Sequence, residues 1–272
     1  SITGVALLQR LKPKNNSHPS KALTTDSRLT AHIDPTRQSY GRLSKCMQLS
    51  YFSSTATARA NVGRPLQSNR VQSLNGLWQF RLFTALQSAW DYITSTTDNR
   101  AELSDIIVPG NWQLQVSGDS PIYTNIKYSI PVDPPNVPDM NPTGYYHKKI
   151  TITSNDRKNS DFILSFGAVD SFFHLWINRV YVGFSKDSRL SADFNITDFI
   201  QQTTDPNQSV SDVIIEVIVL RFSDGHYLED QDMFNLSGIF RDVFVYFVPK
   251  HEVTISDFNW HFRVDKKSYD AQ

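Results

Sequence analysis

The chain has 272 residues, with 27 basic and 27 acidic side chains and no net charge at pH 7. That balance excludes a general attraction to nucleic acid or to an anionic membrane. No apolar run approaches the roughly 18 residues a spanning helix needs. Cys46, the single cysteine, excludes an internal disulfide and suits a reducing, cytoplasmic location.

Residues 1–72 show no sustained periodicity and read as an extended arm, partly disordered. Between Asp34 and Asp91 there is no acid, while Arg37, Arg42, Lys45, Arg59, Arg64, Arg70 and Arg81 are basic. An acid-poor stretch rich in Arg and Ser has the composition of an organelle transit peptide, a competing reading that its internal position weakens.

From 73 to 249 short strand patterns recur between turn signals. GLWQFRLF (76–83) sets Leu77 among polar partners, and DIIVPGNW (105–112) breaks at Pro-Gly. KITITS (149–154), FILSFGAV (162–169) and FHLWINRVYVGF (173–184) follow, the last folding back at Asn178-Arg179. DFNITDFI (193–200) alternates weakly; DVIIEVIVLRF (212–222) and IFRDVFVYFV (239–248) alternate strongly. Only 86–103 suggests a short helix. Many short strands with frequent Pro predict an antiparallel sandwich. Residues 113–143 form a long Pro-rich connection, stiff enough to be held extended toward a site. VTISDFNWHFRV (253–264) reads as a strand that cannot bury itself alone. The chain is therefore expected to be the front part of a longer polypeptide.

The loop between the last two strong strands holds Asp224, Glu229, Asp230 and Asp232, interleaved with Phe222, Tyr227, Phe234 and Phe240. A solvated acidic loop is the plain interpretation. Carboxylates beside rings also describe a sugar site, since acids accept from hydroxyls and rings cover C–H faces. Asp224 is expected to cap a turn, Glu229 and Asp230 to be structural, and Arg241 to pair with one of the acids. Gly238 is expected in a conformation other residues resist. His226 and His251 read as surface residues; His251-Glu252 lacks the second His of a HExxH zinc site. Sequons at Asn15, Asn195, Asn207 and Asn235 are of the number chance supplies. No GxSxG, P-loop, GxGxxG or CxxC occurs.

LEDQDMFNLSGIFRDV (228–243), SLNGLWQFRLF (73–83), VPGNWQ with PIYTNIKYSIPVDPPNVPDMNPTGYY (108–146) and FHLWINRVYVGFSKDSRL (173–190) stand in register. Together they resemble the N-terminal sugar-binding domain of the large bacterial-type β-galactosidases, glycoside hydrolase family 2. The resemblance implies an all-β fold, a galactose-binding-like jelly-roll sandwich over 73–249. It also implies that 250–272 begins a truncated immunoglobulin-like domain. VALLQRLKPKNN (5–16) and SRLTAH (27–32) are similar to the opening arm that supports the family's tetramer, so a homo-oligomer is implied, with 33–66 a disordered insertion within or after that arm.

By resemblance, Asn125 of PIYTN lines the galactosyl pocket, and Asp232 contacts substrate hydroxyls and shares a sodium ion with the missing barrel domain. The implied activity is retaining hydrolysis of terminal β-galactosides by the longer parent, which would use Na+ and Mg2+. The family's two catalytic carboxylates come from that barrel, and their signatures do not occur here. Asp230 and Asp232 are a poor substitute, because the resemblance assigns Asp232 to binding. No ion is expected to bind stably to this chain alone, since one carboxylate holds a monovalent ion weakly in water. Some relatives use the residue equivalent to Asp224 for an accessory magnesium, but Lys186 stands beside Asp187-Ser188-Arg189 and opposes a divalent ion. A sibling glucuronidase or mannosidase, a stand-alone lectin-like module and a non-catalytic degenerate copy are the alternatives. PIYTN and EDQDM together favour the galactosidase.

Overall fold

The computed structural model describes residues 23–44, 50–52, 54–62, 67–95 and 102–255. Its two main sheets are antiparallel and form a jelly-roll β-sandwich. The larger runs Ser39–Tyr40, Val180–Ser185, Phe172–Ile177, Val210–Leu220, Thr143–Thr153, Gly76–Phe83 and Ser104–Val108. The smaller runs Ala192–Asn195, Ser160–Phe166, Val243–Pro249 and Val71–Ser73. Trp78, Phe80, Ile150 and Ile152 of the first sheet join Phe162, Leu164, Phe166, Val243 and Val245 of the second in one buried core. Each large apolar side chain so buried contributes about 1.5–3 kcal/mol.

The outer face of the large sheet is covered as well. Helix Leu86–Thr94 brings Trp90 and Ile93 onto Tyr145, Phe172, Trp176 and Ile218. Burial on both faces explains why Val210–Leu220 is apolar almost throughout. Its one buried acid, Glu216, accepts from Tyr145 Oη at 2.7 Å and lies 3.4 Å from Arg179 Nη1.

Several details differ from expectation. In Gly76–Phe83 the inward residues are Trp78 and Phe80, and Leu77 is 51% exposed. The strand expected over 193–200 stops at Asn195, whose Oδ1 accepts from Thr197 N at 3.0 Å and opens helix Thr197–Thr203. Further short helices occupy Thr25–Leu29, Thr55–Ala60, Ser154–Asn159 and His226–Glu229, so helix is not confined to 86–103. Ser39–Tyr40 lies inside the stretch expected to be disordered, yet it pairs with Phe184–Ser185. The approach is close: a side chain at Gly183 would stand 2.0 Å from the Tyr40 carbonyl oxygen.

The hairpin at Asn178-Arg179 forms as expected, with φ of 47° and 68°. Asparagine tolerates that conformation, and its amide is tied to Ile214 N at 2.6 Å and to Thr203 Oγ1 at 2.7 Å. Val253 and Ile255 are exposed and carry no strand; the rest of the strand expected over 253–264 lies outside the described residues. Among the described residues no helix is long and apolar enough to cross a membrane.

Candidate functional site

The Pro-rich connection does not wander. Ile122–Thr124, from the PIYTN stretch, pairs antiparallel with Met233–Asn235 from the acidic loop. The register sets Tyr123 against Phe234 and Thr124 against Met233, and the ladder ends there, with Asn125 and Asp232 at bends just beyond it. Opposed residues share a face, so Tyr123 and Phe234 stand together, and Asn125 and Asp232 follow at one end of the ribbon. All four are exposed, Tyr123 at 54% and Phe234 at 61%. The two rings lie 5.3 Å apart at 48°. Tyr123 Oη donates to Asp232 Oδ1 at 2.6 Å, and this bond holds the Tyr123 hydroxyl above its ordinary pKa. The two residues singled out in the sequence thus flank the same end of one ribbon, although their numbers differ by 107.

A two-stranded ribbon this short is not stable alone. Its inner face rests on two arginines, Arg221 buried and Arg189 partly exposed. Arg221 Nη2 donates to the Asn235 carbonyl at 3.2 Å, and Arg189 Nη2 reaches Met233 Sδ at 3.5 Å. The Arg221 guanidinium is paired with Asp119, both side chains nearly buried. Asp119 Oδ2 also accepts from Trp112 Nε1 at 2.8 Å and Gln113 Nε2 at 2.9 Å. Gln113 Oε1 in turn accepts from Ser237 N at 2.9 Å. The NWQ triplet (111–113) therefore fixes the chain where it leaves the ribbon. Gly238 follows at φ 128°, as its identity suggested, and a Cβ there would stand 2.9 Å from Tyr146 Oη.

The aromatic residues divide unexpectedly. Phe222 and Tyr227 are buried with Ile130 and anchor the Pro-rich connection. Tyr227 Oη bonds the carbonyls of Pro131 and Asn136 at 2.8 and 2.6 Å. Asn141 exchanges two hydrogen bonds with the Phe222 backbone, at 2.8 and 2.9 Å. Phe240 lies between the guanidinium groups of Arg189 and Arg241, 5.2 and 5.6 Å from its centroid. Only Phe234 of the expected rings faces outward, and Tyr123, which the acidic loop gave no reason to choose, joins it. Its signal was its place in PIYTN, two residues before Asn125.

The acids divide too. Glu229 accepts from Ser188 N at 2.8 Å and from Ser188 Oγ, a structural role as expected. Asp230 is half-buried near His226, whereas Asp232 stands in water, so the two do not form a matched carboxyl pair. Asp224 does not merely cap a turn; its side chain is 8% exposed and pairs with Lys186 at 2.7 Å. Arg241 pairs with no acid of the cluster and donates to the Arg189 carbonyl at 2.8 Å. Arg189 instead bridges Asp170 at 2.8 Å. His226 is not a surface residue: it is 6% exposed, bonds Ser129 Oγ through Nε2 at 2.9 Å, and burial lowers its pKa. His251 is exposed as expected. Among the described residues no group of three or more His, Cys, Asp or Glu could hold a metal ion.

A jelly-roll sandwich with an exposed ribbon of two rings, an amide and a carboxylate has the form of a carbohydrate-binding domain. The sugar-binding domain of glycosyl hydrolases family 2 matches residues 71–249. The chain belongs to that family. It is 46% identical over 180 residues to a beta-galactosidase of Vibrio vulnificus (strain CMCP6) and 45% over 179 to one of Photobacterium profundum. A beta-galactosidase of Yersinia pestis bv. Antiqua (strain Angola) is 46% identical over 176 residues. The first two alignments cover 66% of this chain and 16% of each relative, so the chain spans about a sixth of their length. Among solved structures, a beta-glucuronidase of an uncultured Clostridium sp. is similar with TM-score 0.49 and 17% identity, over 76% of this chain and 31% of that one.

Proposed function

We propose that the chain is the front part of a β-galactosidase that hydrolyses terminal non-reducing β-D-galactosides with retention. In this reading the ribbon supplies Asn125 and Asp232 to the galactose subsite, while the catalytic carboxylates lie in another part of the polypeptide. One observation carries it: pairing of Ile122–Thr124 with Met233–Asn235 leaves an exposed amide and an exposed carboxylate just beyond the same end of the ribbon, beside two exposed rings. A carboxylate that accepts one phenol hydrogen bond keeps acceptor capacity for sugar hydroxyls, and Asn125 offers both donor and acceptor.

Asp232 would also give one oxygen to a sodium ion whose other ligands lie elsewhere, and magnesium would serve the longer polypeptide. The longer polypeptide would be a cytoplasmic homo-oligomer, as the family resemblance implies. By itself the open ribbon should bind sugar weakly, because little of the ligand is desolvated.

The test begins with the size of the native polypeptide, by immunoblot against residues 73–250. Far above 31.1 kDa, the intact protein should cleave nitrophenyl β-galactoside, and Asp232→Ala and Asn125→Ala should each cut kcat/KM by roughly 10- to 1000-fold, the loss expected from one or two hydrogen bonds, some of them charged. Hydrolysis unaffected by either substitution would refute the assignment. A native band near 31 kDa would discard hydrolysis and leave galactose binding to be measured.

A further inference from the structure

Lys186 and Asp224 meet where three segments converge: residues 31–42, the 185–190 loop and the 221–229 loop. The side chains are 2% and 8% exposed. Lys186 Nζ donates to Asp224 Oδ2 at 2.7 Å and to the Asp34 carbonyl at 2.8 Å. The backbone is stitched around them, Asp224 N to His32 O at 2.8 Å and Lys186 N to Gln38 O at 3.0 Å. Arg42 Nη1 closes the other side, on Ser185 Oγ at 2.8 Å and Lys186 O at 3.3 Å. Asp224 Oδ1 is buried beside this junction without a hydrogen-bond partner among the described residues.

A buried carboxylate and a converging carbonyl are oxygen donors of the kind a hard cation takes. The accessory magnesium implied by the family resemblance at Asp224 does not fit them. An ammonium already fills the place, and its charge opposes a second cation. Burial lowers the Lys186 pKa, although Asp224 and Asp34 act against that shift.

We infer that Lys186 is a resident cation, its ammonium serving in place of a metal ion to bind the N-terminal segment 31–42 to the loop that leads into the ribbon. The junction is therefore ordered without a divalent ion. Lys186 is a positioning residue: the loop it pins carries Glu229, which holds Ser188, and continues to Asp232.

Thermal unfolding of the 272-residue chain, in EDTA and then with Mg2+ alone as the added ion, tests this. Wild type should show the same Tm in both. Lys186→Gln leaves a buried carboxylate uncompensated, so its Tm in EDTA should fall by roughly 5–15 °C. Mg2+ should restore part of that loss and slow amide exchange over 31–42 and 221–229. Adding Asp224→Asn should remove the Mg2+ response and most of the loss. A wild-type Tm that rises with Mg2+ would overturn the inference whatever the variants do. So would a Lys186→Gln chain that unfolds early and ignores Mg2+, since the pair would then be an ordinary ion pair. If Lys186→Gln does not fold, the double variant decides: a folded, Mg2+-indifferent chain supports the inference, and an unfolded one overturns it.

Discussion

Val210–Leu220 and Met233–Asn235 are separated by a single loop, yet they are held in opposite ways. The first pairs with a neighbour on each side, Thr143–Thr153 over its full length and Phe172–Ile177 over most of it, and both its faces are covered. The second pairs only with Ile122–Thr124 and leaves Tyr123 and Phe234 in water. Apolar burial fixes the first, whereas the second is fixed from beneath, by Arg221, Asp119 and the amides of the NWQ triplet. A binding face must stay wet and cannot order itself by burying its own side chains. The polar contacts under it do that instead, and the two regions should fail separately.

Substitutions on either side of the divide test it most strongly. Phe166→Ala empties a fully buried place between the sheets and should cost about 3–5 kcal/mol in urea denaturation. Amide exchange in the ribbon should change only with global unfolding. Arg221→Met leaves Asp119 buried without its charge partner and should cost a similar 3–5 kcal/mol or so. Here exchange at 122–124 and 233–235 should quicken at denaturant concentrations where the sandwich is still protected. Uniform exchange changes in both variants would mean that the molecule is one cooperative unit without this division.

The junction at Asp170 gives a pH test of intermediate size. Asp170 pairs through its backbone with Gly238, just past the ribbon. Burial raises its carboxyl from 3.8 to about 6, against the bond from Arg189. Arg189 keeps 41% of its side chain in water and is screened, so burial wins. A raised carboxyl pKa means the native state holds a proton that the unfolded state has lost. Stability from this group is therefore present below about pH 4 and lost as pH rises to about 6, on the order of 2–3 kcal/mol. Asp170→Asn should flatten that part of the stability curve; an unchanged curve would mean that Arg189 governs the ionisation after all.

What could be foreseen follows the same divide. Alternation in FILSFGAV and DVIIEVIVLRF is a local consequence of burying one or both strand faces, so those strands were legible. DFNITDFI misled because it is two elements, and the side-chain-to-backbone turn from Asn195 to Thr197 marks the change. Asp224, His226 and Arg241 misled for another reason. Their partners are Lys186, Ser129 and the Arg189 carbonyl, distant in sequence and brought close only by the finished sandwich. Asn125 and Asp232 were named from motifs, but their place at one end of a ribbon depends on a register that no local pattern encodes.

The smallest effect belongs to the ribbon's outer face. Asp232 is exposed, so Asp232→Ala should change stability by no more than about 0.5 kcal/mol. Its mark should appear on Tyr123, whose hydroxyl pKa is raised chiefly by the bond to Asp232. In Asp232→Ala the Tyr123 ring resonance should titrate at lower pH than in wild type, while the buried Tyr145, held up first by its own desolvation, should not follow. A Tyr123 titration indifferent to the substitution would mean that the ribbon is not registered in solution as Tyr123 against Phe234. Asn125 and Asp232 would then no longer be brought to one end of the ribbon, and the proposed sugar face would lose its geometric basis while the sandwich beneath it stayed intact.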